Sequence, residues 1–335
     1  MTESQPHFVG GRYRNPWLPA DRRSGIVGAI DFVRWQLDQG PREEPPPHER
    51  RIGRYRPAVR QPDYGRIRTP RTDAIQATWI GHSSFLVQSG GFNLLTDPIY
   101  SERCSPVQFA GPARYADPGV PFDRLPRIDL VVQSHNHYDH LDERTVLALP
   151  RTTPFIVPLG VGRWLRKRGF SEVREADWWQ TIDIHDGLRA TAVPAQHFSG
   201  RQLVGDRNAT LWCGWIIEAG DRVIYFAGDS GYGPFFREIG ERVPEIDLAL
   251  IPIGAYSPRW FMAPVHCDPF EAVRIFQDVG ARHAIGMHWG TFRLTSEPMA
   301  EPPLWLERGL DEAGIARERF RTSAFGETIT IPEEA

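Results

Sequence analysis

The chain has 335 residues, 41% of them hydrophobic, and a formal net charge of −3. That is enough apolar material for a large core, while the near-balanced charge excludes a global basic field, so no nucleic-acid partner is expected. No apolar run approaches the ~20 residues needed to cross a bilayer.

The N-terminal MTESQPHFVGGRYRNPW lacks the charged and then apolar pattern of a signal peptide. Cys104, Cys213 and Cys267 are odd in number and not in CxxC spacing, so no disulfide framework is expected. A cytoplasmic location follows as the expectation, with room for peripheral contact at a membrane.

Residues 1–72 hold Pro45, Pro46 and Pro47, several Arg-rich turns and little periodicity. They read as an arm wrapping a main domain of residues 73–330. One helix is expected over residues 25–37, where Ile30, Val33, Trp35 and Leu37 offer an apolar face. Three strands then come in quick succession at 77–80, 84–88 and 92–96, the third running into Thr96-Asp97-Pro98. Residues 98–127 are rich in Pro, Gly and Arg; a connection of that length is expected to frame a site.

The apolar run Leu130, Val131, Val132 leads directly into SHNHYDHLD. A helix is expected over 142–149 with Asp142 near its cap, a strand at 155–158, and a helix over 162–169 ended by Gly169. Strands are expected at 172–174 and 188–194, the latter leading to His197. A hairpin follows at 211–217 and 222–227, then Gly228-Asp229. A strand at 247–253, a helix at 269–279 capped by Asp268, a strand at 283–287 leading to His288, and a helix at 301–309 complete the reading. Helices interleaved with β-rich runs imply an α/β arrangement of two mixed sheets between helices, four layers in all.

Each chemically distinctive loop follows an apolar strand. His135 and His137, at i and i+2, can grip one ion while Asp139 and His140 turn toward a second. Strands meeting at one sheet end would add His197, Asp229 and His288, with Asp229 placed to give one oxygen to each ion. Two metal ions ~3.5–4 Å apart hold a hydroxide between them and clamp the attacking and leaving oxygens of a displacement. Asp97, directly after a strand, is expected to fix a ligand imidazole by hydrogen bonding. His82 is expected to be structural or to support a ligand. Tyr138, between ligands, is a candidate substrate contact, and His266 stays ambiguous between packing and the site.

The order HNHYDH, His197, Asp229, His288 resembles the metallo-β-lactamase superfamily. GRYRNPW (11–17), LTDPIYSERCSP (95–106), SHNHYDHLD (134–142), PAQHFSGR (194–201) and GAYSPRWFM (254–262) resemble, more closely, its N-acyl-phosphatidylethanolamine-hydrolysing phospholipase D branch. The HxHxDH signature alone marks only the superfamily.

The resemblance implies a metallo-β-lactamase-like αββα sandwich with an N-terminal arm, and two Zn2+, other divalent metals being the alternative. It implies that His135, His137, His197 and Asp229 hold one ion, and Asp139, His140, Asp229 and His288 the other. A zinc-bridging hydroxide would attack the lipid phosphodiester, with Asp139, Asp229 and Tyr138 as catalytic residues and Tyr138, Arg201 and His266 as substrate contacts. It also implies a homodimer that meets its phospholipid substrate at a membrane surface, with Trp17, Phe32, Trp35 and Leu37 as candidate apolar anchors. The alternative activity is a metal-dependent lactonase or another phosphodiesterase of the same superfamily. A non-catalytic binding module is disfavoured by the intact ligand set.

Overall fold

The structure is a computed structural model that describes residues 7–18, 55–202, 205–243 and 245–332. The helix expected over residues 25–37 lies outside them, together with Phe32, Trp35 and Leu37. Strands β1 (Phe8–Val9) and β2 (Arg12–Tyr13) form a short hairpin. Strands β3 (Ile75–Gly81), β4 (Ser84–Ser89), β5 (Phe92–Thr96), β6 (Leu130–Val132), β7 (Phe155–Pro158) and β8 (Val173–Ala176) follow. Next come β9 (Thr181–His185), β10 (Leu188–Val193), β11 (Gly214–Ala219), β12 (Arg222–Phe226), β13 (Leu248–Pro252), β14 (His283–Met287) and β15 (Phe320–Arg321). Strand β16 (Thr328–Ile331) is the last.

These strands build two seven-stranded sheets with the same internal logic. In the first, ordered β16-β3-β4-β5-β6-β7-β8, the strands from β16 to β5 pair antiparallel and those from β5 to β8 parallel. In the second, ordered β15-β14-β13-β12-β11-β10-β9, β9 to β12 pair antiparallel and β12 to β15 parallel.

Side-chain alternation explains why the first sheet is covered on both faces. Leu94, Val132 and Ile156 join the core shared with the second sheet. Their neighbours Leu95, Val131 and Phe155 join a separate cluster on the opposite face with Val146, Leu165 and Ile67. Those residues come from the helices Glu143–Ala148, Gly162–Arg166 and Tyr64–Arg68. On the far side of the second sheet, the helices Phe235–Arg242, Pro269–Asp278 and Glu301–Ala313 supply Phe236, Ile275 and Leu310 to the core. The order is helix, sheet, sheet, helix, the four layers expected from the sequence.

One helix cap departs from expectation. Asp142 does precede the helix Glu143–Ala148, but its carboxylate makes no cap hydrogen bond. It instead accepts from Ser101 N at 3.0 Å and Ser101 Oγ at 2.8 Å, tying the 98–127 connection to the metal loop's far end. By contrast, Asp268 forms a full capping box with Glu271, as its position predicts. Trp17 is half-buried against the core, stacked on Trp178 with ring centroids 5.4 Å apart and packed on Phe235 at 4.5 Å.

Candidate metal centre

Every loop that carries a candidate ligand leaves the same end of the sandwich. Parallel strands put their carboxyl ends side by side, where open α/β sheets bind ligands. Asp97 follows β5, His135 to His140 follow β6, Asp229 follows β12 and His288 follows β14. His197, after β10, arrives from the antiparallel half of the second sheet. Both sheets thus contribute side chains to one buried cluster.

The cluster has two lobes. In one, His135 Nε2 lies 2.9 Å from His137 Nδ1, which lies 3.2 Å from His197 Nε2. In the other, Asp139 Oδ2 lies 3.4 Å from both His140 Nε2 and His288 Nε2, and 3.0 Å from His82 Nε2. Asp229 stands between them. Its Oδ2 is 3.1 Å from His140 Nε2 and 3.0 Å from His288 Nε2, and 3.8 and 4.0 Å from the Nε2 atoms of His197 and His135.

Three outward ring nitrogens, those of His140, His135 and His197, are held by the protein, while His288 Nδ1 has no hydrogen-bond partner. Asp97 Oδ2 accepts from His140 Nδ1 at 2.6 Å. Its other oxygen accepts from the Ser134 amide at 2.7 Å and from Gln133 Nε2 at 2.8 Å. The Ser134 hydroxyl also bonds Asp97 Oδ2 and sits 2.8 Å from His135 Nδ1. His197 Nδ1 meets the Val265 carbonyl at 2.9 Å. Such contacts orient imidazoles and keep their inner nitrogens free for a cation.

Electrostatics separates the lobes. Burial pulls His135 well below the usual histidine range, His137 to about 3 and His197 to about 4, so all three are neutral donors. Burial acts the same way on His140 and His288, but the carboxylates outweigh it. Asp229 and Asp139 hold His140 well above its ordinary value and His288 at about 9. Burial likewise raises Asp139 and Asp229, yet the facing imidazoles leave both well below the carboxylate range.

This arrangement fits divalent metal. His140 Nε2, His288 Nε2 and Asp229 Oδ1 are buried without a hydrogen-bond partner, although the first two point at carboxylate oxygen. A cation among them would satisfy all three, and a donor set of imidazoles and carboxylates suits zinc. Backbone strain gathers here too: His82, Asp97 and His288 have φ of 55°, 29° and 60°, a left-handed region costly for residues other than Gly.

The structure brings His135, His137, Asp139, His140, His197, Asp229 and His288 together, with Asp97 and His82 against them. His266 joins too, buried, its ring centroid 5.0 Å from His197 and 5.2 Å from His288, with Nδ1 unpartnered. Arg201 turns elsewhere. One guanidinium nitrogen donates to the Asn136 and Leu141 carbonyls at 2.9 and 2.6 Å, and the group lies 4.0 Å over the Tyr138 ring. The Tyr138 hydroxyl donates to the Arg201 carbonyl at 2.8 Å. Together these two clasp the metal loop at both ends. For Ser134 the sequence offers a single signal, its place directly before His135.

Residues 92–289 match the β-lactamase superfamily domain. The chain is 46% identical over 235 residues to an uncharacterized protein of Mycobacterium tuberculosis, covering 68% of this chain and 62% of that one, so it spans less than two thirds of that relative's length. It is 40% identical over 262 residues to N-acyl-phosphatidylethanolamine-hydrolyzing phospholipase D 1 of Caenorhabditis elegans, covering 74% of this chain and 72% of that one. Among solved structures, an isothiocyanate hydrolase from Delia radicum gut bacteria superposes with a TM-score of 0.62 at 22% identity, covering 76% of this chain and 98% of that one, a likeness of fold alone. The family match and the relatives agree that this chain belongs to the metallo-β-lactamase superfamily, and its buried histidine–aspartate clusters are placed where they could hold metal.

Proposed function

We propose that this protein is a binuclear zinc phosphodiesterase of phospholipase D type, hydrolysing N-acyl-phosphatidylethanolamine to N-acylethanolamine and phosphatidate. The observation that carries the reading is Asp229 Oδ2 lying between two donor sets, near His140 and His288 on one side and His197 and His135 on the other. The worm relative, whose name states this activity, favours the lipid substrate.

In this reading His135, His137, His197 and Asp229 hold one zinc, and Asp139, His140, Asp229 and His288 the other. When bound, the pair supplies Lewis acidity at phosphorus and a water acidic enough to attack at neutral pH. Water adds to phosphorus, the bond from phosphorus to the ethanolamine oxygen breaks, and that oxygen leaves with a proton.

The chain's own residues prepare this. Asp97, Ser134 and the Val265 carbonyl hold three imidazoles in fixed orientation. His82 restrains Asp139. His266, with a free Nδ1 at the cluster's edge, is the substrate contact we favour. Arg201 and Tyr138 act by bracing the loop, through one guanidinium nitrogen and the phenol hydroxyl, which donate to main-chain carbonyls. Residues 1–72 as an arm on the main domain of 73–330, a homodimer and a peripheral membrane location belong to the same proposal.

The test is zinc-loaded protein incubated with vesicles containing N-acyl and ordinary phosphatidylethanolamine, with products identified by mass spectrometry. N-acylethanolamine and phosphatidate in equal amounts are expected. Protein that holds two zinc ions per chain yet releases neither product refutes the reading.

A further inference from the structure

Residues 104–113 read CSPVQFAGPA, ten residues without a formal charge in a chain that is 24% charged. They form the tip of the long connection between β5 and β6. Phe109 is 86% exposed, the highest value among the exposed large hydrophobics of the described residues, and Val107 is 37% exposed. Pro106, Ala110 and Gly111 beside them are exposed as well. Water gains nothing from a phenyl ring held out in this way; burying such a patch is favourable wherever a partner offers apolar surface.

The tip is built, not frayed. Gln108 turns inward, its Oε1 accepting from the Arg103 amide and its Nε2 donating to the Arg103 carbonyl, both at 3.0 Å. Arg103 donates to the Gly111 carbonyl at 2.6 Å, and the Cys104 amide to the Pro112 carbonyl at 3.2 Å. Gly111 has φ +103°, and a Cβ there would lie 2.7 Å from Ser105 Cβ, so the close turn needs glycine. Polar groups are folded toward the base while apolar side chains face out. That division suits a lipid interface, where main-chain groups that lose water must find partners within the protein.

The base of the loop reaches the metal centre. Cys104 packs with Ile99 and Phe292. Phe292 lies edge-on to His82 at 5.4 Å, and His82 bonds Asp139. The base of the loop is thus packed, through Phe292, on a residue that touches the cluster.

We propose that residues 104–113 form a membrane-docking loop, with Phe109 and Val107 inserting into the bilayer that holds the substrate. This deepens the phosphodiesterase reading and rests on it for the choice of lipid as partner. A second copy of the chain is a poorer occupant: five exposed tip residues fall far short of the ~20–30 per side of a stable interface.

The experiment uses the full zinc-loaded chain. The native cysteines are all buried, so Phe109→Cys can be labelled selectively with an environment-sensitive fluorophore. Arg127→Cys, at an exposed position before β6, is the control. Vesicles of phosphatidylcholine and phosphatidylethanolamine should brighten and blue-shift the label at position 109 and leave that at 127 unchanged. Separately, Val107→Ser with Phe109→Ser should lower vesicle partitioning by about tenfold or more, from the loss of two apolar side chains. Turnover of vesicle-borne N-acyl lipid should fall by a similar factor, while that of a monomeric short-chain analogue stays unchanged.

A label at 109 that ignores vesicles overturns the docking loop even if lipid is hydrolysed. A response that tracks protein concentration without vesicles overturns it in favour of self-association. Vesicle-dependent labelling with no turnover of either lipid supports the loop and refutes the phosphodiesterase reading, so the two fail separately.

Discussion

Replacing Asp97 by Asn tests the centre without touching a proposed ligand. The Asp97 carboxylate is fully buried and receives hydrogen bonds from the Ser134 amide, Ser134 hydroxyl, Gln133 amide group and His140 Nδ1. An asparagine must aim its NH2 at one of these pairs of donors. Facing Ser134 N and Gln133, it leaves buried donors unmatched, at about 1–3 kcal/mol. Facing His140, it forces Nδ1 to accept, moves the ring proton to Nε2 and removes that nitrogen as a metal donor. Loss of such an outer partner weakens metal binding by roughly 10–100-fold, or about 1.4–2.7 kcal/mol. Competition against a chelator, with zinc counted by mass spectrometry, should show one of two zinc ions weakened by that factor while circular dichroism is unchanged. If Asp97→Asn holds both ions as tightly as the parent, the assignment of Asp97 as the group that sets the His140 tautomer is wrong.

Other predictions probe the charge and the packing. His140 and His288 are held protonated at pH 7 in the metal-free site, the latter to about 9, while His135, His137 and His197 are not. Zinc uptake near pH 7 should therefore release about two protons per chain from these imidazoles, in addition to any from zinc-bound water, with the His288 share vanishing above about pH 9; calorimetry in buffers of different ionisation enthalpy counts them, and no release refutes the charge assignment. For the same reason, this pairing stabilises the metal-free fold below the unfolded histidine value, and the contribution is lost as pH rises through about 9. Arg201→Ala removes two hydrogen bonds from a cation to the metal loop and should cost about 3 kcal/mol in urea unfolding of the loaded protein; unchanged stability argues against the clasp. Gly228→Ala places a Cβ 2.7 Å from Ser134 Cβ at φ +61°, so a loss of about 2–4 kcal/mol and weaker zinc retention are expected; an unaltered melting temperature contradicts that crowding.

Sequence carried the architecture wherever burial was complete. The strands at 92–96, 155–158 and 283–287 are legible from their buried apolar residues, Leu94 and Leu95, Phe155 to Pro158, and Ala284 to Met287. Thr181–His185 is an edge strand with a mostly exposed pattern, so no apolar run marks it in the sequence. The helix Phe235–Arg242 starts at Pro234 without a side-chain cap, which removes the usual start signal. β16 finds its partner in β3, at the opposite end of the described main chain, a pairing that local pattern does not reveal.

Convergence of the seven candidate ligands was readable because each follows a strand that ends at the same edge. Arg201 shows the limit. Its nearness to His197 in sequence suggested a phosphate contact, but direction is set by the Asn136 and Leu141 carbonyls, which only the fold brings to it. Ser134 shows the converse: a small hydroxyl adjacent to a ligand gains its role from Asp97, which arrives from another strand.

Each lobe draws on both sheets, with His135, His137, Asp139 and His140 from the first and His197, Asp229 and His288 from the second, so the spacing between sheets is also the bite of the centre. Trp215, on β11 in the second sheet, donates its indole N–H to the Gln133 carbonyl at 2.8 Å, just ahead of the metal loop on the first. The Cys213 amide reaches the Ser134 carbonyl at 3.0 Å in the same seam. These two bonds act as spacers that gauge the gap. Small cations tolerate bond-length errors of only ~0.2 Å, so a shim inserted or removed at Trp215 retunes which ion fits, although no ligand has changed.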